Sequence, residues 1–210
     1  MPDLPSAWLS TVRRLGAGGD LAGAGAAVLT RWTEPHRRYH DVRHLAAVLD
    51  GVDLLAGEAE NPDACRLAAW FHDAVYDPRS GDNEERSAAL AAETLTALQV
   101  PPGTVAEVVR LVRLTRTRDV GHGDANGAVV CDADLAVLAG GSEEYAAYVQ
   151  AVREEYAHVP DADFTAGRAR VLRSLLSQEP LFRSAYGHEH WEPAARANLR
   201  AELDRLGHRP

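Results

Sequence analysis

Cysteine is scarce in this chain: 210 residues hold only Cys65 and Cys131, with no CxxC pair. That scarcity argues against a disulfide framework and excludes a cysteine-rich zinc site. Long apolar runs are missing as well. No stretch approaches the length of a membrane span, and no basic segment leads into an apolar signal core, so no membrane partner and a cytoplasmic location are expected. Basic charge is in deficit, with 22 basic residues against 31 acidic ones and a formal net charge of −9. Binding a nucleic-acid polymer rests on neutralising phosphates, and this balance argues against it. A small phosphorylated substrate stays within reach, because a few local arginines and a metal can override the global sign. A glycine-rich phosphate loop is absent, and so is convincing period-2 alternation. The best strand candidate, Ala128-Val129-Val130-Cys131, is short and could equally open a buried helix.

What is present is helical periodicity. Leu45, Val48, Leu49, Val52 and Leu55 follow the i, i+3, i+4, i+7 rule, as do Leu67, Trp70, Phe71 and Ala74. Further stripes run through Ala88, Ala91, Ala92, Leu95 and Leu98, through Val105, Val108, Val109 and Val112, and through Tyr145, Tyr148, Val149, Val152 and Tyr156. Ala195, Leu199, Leu203 and Leu206 form the last. Breaks fall at residues 16–19, 78–81, 101–103 and 121–127. Asn61-Pro62 reads as a cap followed by a first-turn proline, and Asp82 with Glu85 has capping-box spacing. The length suits one domain with a substantial core. The reading predicts a single all-α domain over residues 1–210, with a metal-binding core over about 36–140 and C-terminal helices over about 142–207.

The chemistry is concentrated in His72-Asp73, set in an otherwise apolar helical stretch expected to end near Pro78. A lone carboxylate there is costly unless a cation or hydrogen bonds compensate it. His44 lies upstream, four residues after His40 and so on the same helical face, and Asp132-Ala133-Asp134 follows downstream. Two histidines and two carboxylates from three helices can enclose one divalent ion. Such a set suits Mn, Fe, Co, Ni or Zn, and its hard oxygens also admit Mg. Asp132 and Asp134 have another reading, as caps of a helix starting near Leu135.

The ordered set Tyr39-His40, His44-Leu45, Phe71-His72-Asp73, Tyr76-Asp77, Asn83-Glu84, Ser87-Ala88 and Asp132-Ala133-Asp134-Leu135 resembles the HD-domain superfamily of metal-dependent phosphohydrolases. More narrowly, it is similar to a small bacterial group described as predicted metal-dependent HD phosphohydrolases. The likeness extends into Arg153, Tyr156, Phe164, Gly167 and Arg168 and covers most of the chain. The resemblance implies an HD-like helical bundle with His44, His72, Asp73 and Asp134 as metal ligands. It implies a hydrolase that cleaves a phosphoester or phosphoanhydride of a small molecule, such as a nucleotide, by metal-activated water. Asn83 stands where many HD proteins carry histidine, which favours one metal over two. Many relatives have a histidine shortly after the helix ending near Thr115. Here Thr115-Arg116-Thr117-Arg118 interrupts that pattern and His122 is displaced.

Around the ligands, Asp77 is a candidate for orienting water or moving a proton, or else a turn residue before Pro78. Glu84 is a second catalytic candidate, or an acid in a favourable first helical turn. His40 could donate a proton to the leaving group or be structural. Arg168, then Arg38, then Arg153 are candidate phosphate donors, with exposed salt bridges as the other reading. His188 and His190 are expected on the surface. Two further functions compete: a di-iron HD-fold oxygenase, which Asn83 counts against, and a non-catalytic regulatory domain stabilised by its metal. A homo-oligomer is left open by aromatic Tyr145, Tyr148 and Trp191.

Overall fold

The first four helices each begin on a side chain that accepts a backbone amide. Asp3 takes Ser6 N at 3.3 Å, Asp20 takes Gly23 N at 2.8 Å, Asp41 takes Arg43 N at 2.8 Å and Asn61 takes Ala64 N at 3.0 Å. These caps open α1 (Leu4–Arg14), α2 (Leu21–Arg31), α3 (Val42–Leu54) and α4 (Pro62–Phe71). They are followed by α5 (Asn83–Ala97), α6 (Pro102–Thr117), α7 (Ala125–Leu135), α8 (Ser142–Glu155), α9 (Asp161–Leu176) and α10 (Glu192–Gly207). Short 3-10 turns occupy Ala56–Glu58 and Ala136–Ala139, and a π-turn occupies Gly187–Trp191. The computed structural model describes residues 3–207, and no strand occurs among them. The all-α class is as the periodicity predicts. No helix among the described residues is long and apolar enough to cross a membrane.

The chain divides into two compact units, one ending at Asp134 and the other beginning at Leu135. In the first, α4 is central and packs against α1, α3, α5 and α6. Its apolar positions Leu67, Trp70 and Phe71 are wholly buried, as are Leu45 and Val52 of α3. Each such side chain contributes roughly 1.5–3 kcal/mol by leaving water. Trp8 stands edge-on to Trp70 with ring centroids 5.3 Å apart and donates its indole N–H to Leu21 O at 2.8 Å. In the second unit Leu138, Leu172, Phe182, Ala195 and Leu199 form the core, with Leu203 and Leu206 packed against it.

Ala128-Val129-Val130-Cys131 lies inside α7, the helical one of its two readings, with Val129, Val130 and Cys131 buried. Three local expectations change. The Asp82–Glu85 capping box does not form: Asp82 accepts from Ser80 Oγ, and Glu85 pairs with Arg113 at 2.8 Å. The apolar stretch carrying His72-Asp73 leaves the helix at Phe71, seven residues before Pro78, so His72 is the C-cap and Asp73 lies beyond it. The carbonyls of Asp73 and Ala74 turn instead to the Arg37 guanidinium at 2.8 and 3.2 Å. His40 likewise precedes α3, whose cap is Asp41, so it shares no helical face with His44.

One close approach sets the site. A Cβ built on Gly51 would lie 3.1 Å from Ala133 Cβ and 3.2 Å from Ala133 Cα. Glycine thus lets α3, which carries His44, touch α7 beside Asp134. Gly51→Val is expected to lower stability by about 1–3 kcal/mol through overpacking. Urea unfolding would check it; an unchanged midpoint would mean that α7 yields freely.

Candidate metal centre

His72 is held by its own helix. Nδ1 lies 2.8 Å from Ala69 O, and a carbonyl only accepts, so Nδ1 carries the proton. Nε2 is left with a lone pair, and it points at His44 Nε2, 3.2 Å away. Asp134 Oδ1 from the last turn of α7 completes the group, 3.3 Å from His44 Nε2 and 3.6 Å from His72 Nε2. The three donor atoms all lie within 4.8 Å of one another. An ion bound at about 2.0–2.2 Å sets neighbouring donors roughly 3–3.5 Å apart, so the spacing fits a single centre. His44, His72 and Asp134 could hold a metal ion.

The surroundings fix these groups. The Trp32 ring lies 5.3 Å from His72, and the Tyr39 ring lies 4.7 Å from His44. Burial drives the pKa of His44 below its usual value, which keeps the imidazole neutral and ready as a ligand near neutral pH. Burial opposes ionisation of Asp134, but the His44 hydrogen bond and the Arg118 charge outweigh it and hold the carboxyl far below its usual value. Arg118 Nη2 donates to Asp134 Oδ2 at 3.1 Å.

Asp73 stands at the edge of the group. Its Oδ2 is 3.4 Å from His72 Nε2 and 3.9 Å from His40 Nε2. His40 stacks on Tyr76 with centroids 4.3 Å apart. This corner is tied together by Arg37, whose side chain is fully buried. Arg37 Nη1 donates to His40 O at 2.7 Å and to Asp73 O at 2.8 Å, joining the segment before α3 to the segment after α4.

The remaining expected residues fall elsewhere. Asp77 is exposed and accepts from Arg79 N at 2.9 Å, capping its own turn. Asn83 is committed to the same turn, accepting from Asp77 N at 3.0 Å and donating to Asp77 O at 2.8 Å. Glu84 sits half-buried in the first turn of α5, and no contact among the described residues joins it or Asp77 to the three donors. Arg38 is exposed and donates to Pro35 O at 2.9 Å. Arg153 and Arg168 lie in the second unit. Arg153 donates to Asp161, Tyr156 O and Val159 O. Arg168 forms a buried fork on Glu202 at 2.8 and 3.0 Å and a bond to Tyr148. Asp132 is buried in α7, and neither it nor Asp134 caps a following helix, since α7 runs on through Leu135. His122, His188 and His190 are exposed.

Arg37 and Arg118 are the site residues that sequence reasoning missed. Arg118 had a signal, for it falls in the stretch where a histidine was expected after α6. Arg37 had none beyond adjacency to Arg38. No family model, no curated protein and no solved structure matches this chain.

Proposed function

We propose that this protein is a hydrolase of small phosphorylated molecules that uses one divalent metal ion, with nucleotides as the first substrate class to examine. The observation that carries the reading is the convergence of His44 Nε2, His72 Nε2 and Asp134 Oδ1 within 4.8 Å. The ordered likeness to HD phosphohydrolases supports it. A divalent ion at these donors supplies an acidified water and polarises a phosphoryl oxygen.

The chain's own residues divide the remaining work. The His72 proton stays on Nδ1, bound to Ala69 O, so Nε2 remains a ligand rather than a proton donor. Asp73 adds negative charge beside the centre and faces His40, whose side chain is 21% exposed. That exposure lets His40 exchange protons with solvent and pass one to a departing oxygen. Asn83 is occupied with the Asp77 backbone, which favours one metal over the two irons of an oxygenase.

The test pairs the metal content of protein purified without chelator with a phosphate-release screen over nucleotides and sugar phosphates. About one ion per chain is expected, with release lost in both His72→Ala and Asp73→Ala. Near two irons per chain without phosphate release would replace this reading by the oxidative one. Protein that holds its metal yet releases nothing, with His72→Ala lowering only Tm, would mean a structural metal.

A further inference from the structure

We propose that Arg118 is the anion-binding residue of this site, taking a phosphoryl oxygen of the ligand bound at the His44–His72–Asp134 centre. This rests on the metal-dependent reading above and names the residue that would make it selective for phosphoryl groups. Asp134 bridges the two parts: Oδ1 faces the imidazoles at 3.3 and 3.6 Å, while Oδ2 faces Arg118 at 3.1 Å. One carboxylate width therefore separates the guanidinium from the metal donors.

The guanidinium is under-used. Asp134 is its one partner among the described residues, and its Nε–H is buried with no acceptor at all. A buried donor without a partner is costly, so an acceptor belongs there. Other arginines differ. Arg37 and Arg168 are spent on several acceptors each, and Arg38 is turned back onto the carbonyls of Pro35 and Arg37. The backbone also bears a cost to place Arg118: it ends α6 with φ +53°, a conformation that side chains other than glycine rarely adopt. Its side chain keeps 33% exposure overall although Nε itself is buried, so an approaching anion meets the rest of the side chain first. A phosphoryl group offers several charged oxygens, one for an ion and another for the fork of a guanidinium. Neutral dioxygen offers no such pairing.

Cobalt(II) loading of the full-length protein, followed by visible absorption, tests this without any turnover. Wild type, Arg118→Met and Arg118→Lys are each titrated with cobalt and then with inorganic phosphate, with acetate as a second anion. Phosphate is expected to perturb the wild-type cobalt spectrum and to bind about tenfold or more weaker in Arg118→Met. Arg118→Lys, which keeps the charge but loses the fork, should fall between them and guards against a methionine variant that fails to fold. Cobalt affinity should hold or rise in Arg118→Met, because a cation beside the centre repels the ion. Equal phosphate affinity in wild type and Arg118→Met would overturn the inference. So would loss of cobalt along with phosphate, which would make Arg118 a mere brace for Asp134, and so would acetate binding as tightly as phosphate. Wild type that takes up no cobalt would instead refute the metal centre itself.

Discussion

Asp134→Asn is expected to weaken divalent-metal binding by about a hundredfold or more. Asparagine preserves the shape of the side chain but removes the charge that offsets the ion. The two imidazoles cannot compensate, since both are neutral ligands 3.2 Å apart. The same change leaves Arg118 without the carboxylate that its charge and the His44 hydrogen bond hold ionised. The metal-free protein should therefore lose about 1–3 kcal/mol of stability as well, a cost to be measured apart from the loss of metal affinity. Isothermal titration with zinc or cobalt, beside urea unfolding in chelator, separates the two. Metal binding unchanged in Asp134→Asn would refute the three-donor centre. A variant that unfolds outright would show that Asp134 serves the fold first.

Arg37→Met is expected to cost about 3–5 kcal/mol of folding stability, the most of any single arginine replacement in the first unit. The guanidinium is fully buried and donates to His40 O at 2.7 Å, Asp73 O at 2.8 Å and Ala74 O at 3.2 Å. It also meets Glu34 Oε2 at 3.2 Å and lies over the Trp32 and Tyr76 rings at 5.4 and 5.5 Å. Methionine fills part of the volume and satisfies none of the carbonyls, which would be left buried and unpaired. Metal affinity should fall as well, because the tie between the His40 and Asp73 segments is lost. Arg38→Met is the control: it is exposed and should stay within about 1 kcal/mol of wild type. Urea midpoints for the two variants would decide. Similar losses for both would mean that Arg37 is not the tie its contacts describe.

The site was legible in unequal parts. His44, His72 and Asp134 stood out because metal-binding residue types occur in a recognisable order on apolar helices. Asp73 was read as a fourth ligand on the strength of the resemblance, with His72 and Asp73 side by side in one helical stretch. The helix stops at Phe71, and Asp73 lies in the turn that follows, facing both His72 and His40. Arg37 and Arg118 were hidden for another reason. The chain has no lysine and 22 arginines, so an arginine by its type marks nothing. What distinguishes these two is which distant carbonyls and carboxylate they meet. Arg168 illustrates the converse: its place in the family pattern drew attention to it, and its guanidinium forks onto Glu202 inside the second unit.

By itself the sequence determined the all-helical class and the apolar stripes of α3 to α6, α8 and α10, because caps and i, i+3, i+4 patterns act within a few residues of one another. It also determined that imidazoles and carboxylates, rather than thiolates, would carry any metal chemistry. Tertiary structure decided where those helices end and which groups meet. The contact of Gly51 with Ala133 and the bonds from Arg37 to Asp73 join residues far apart in the chain. Their geometry follows from how whole helices pack, which no local pattern encodes.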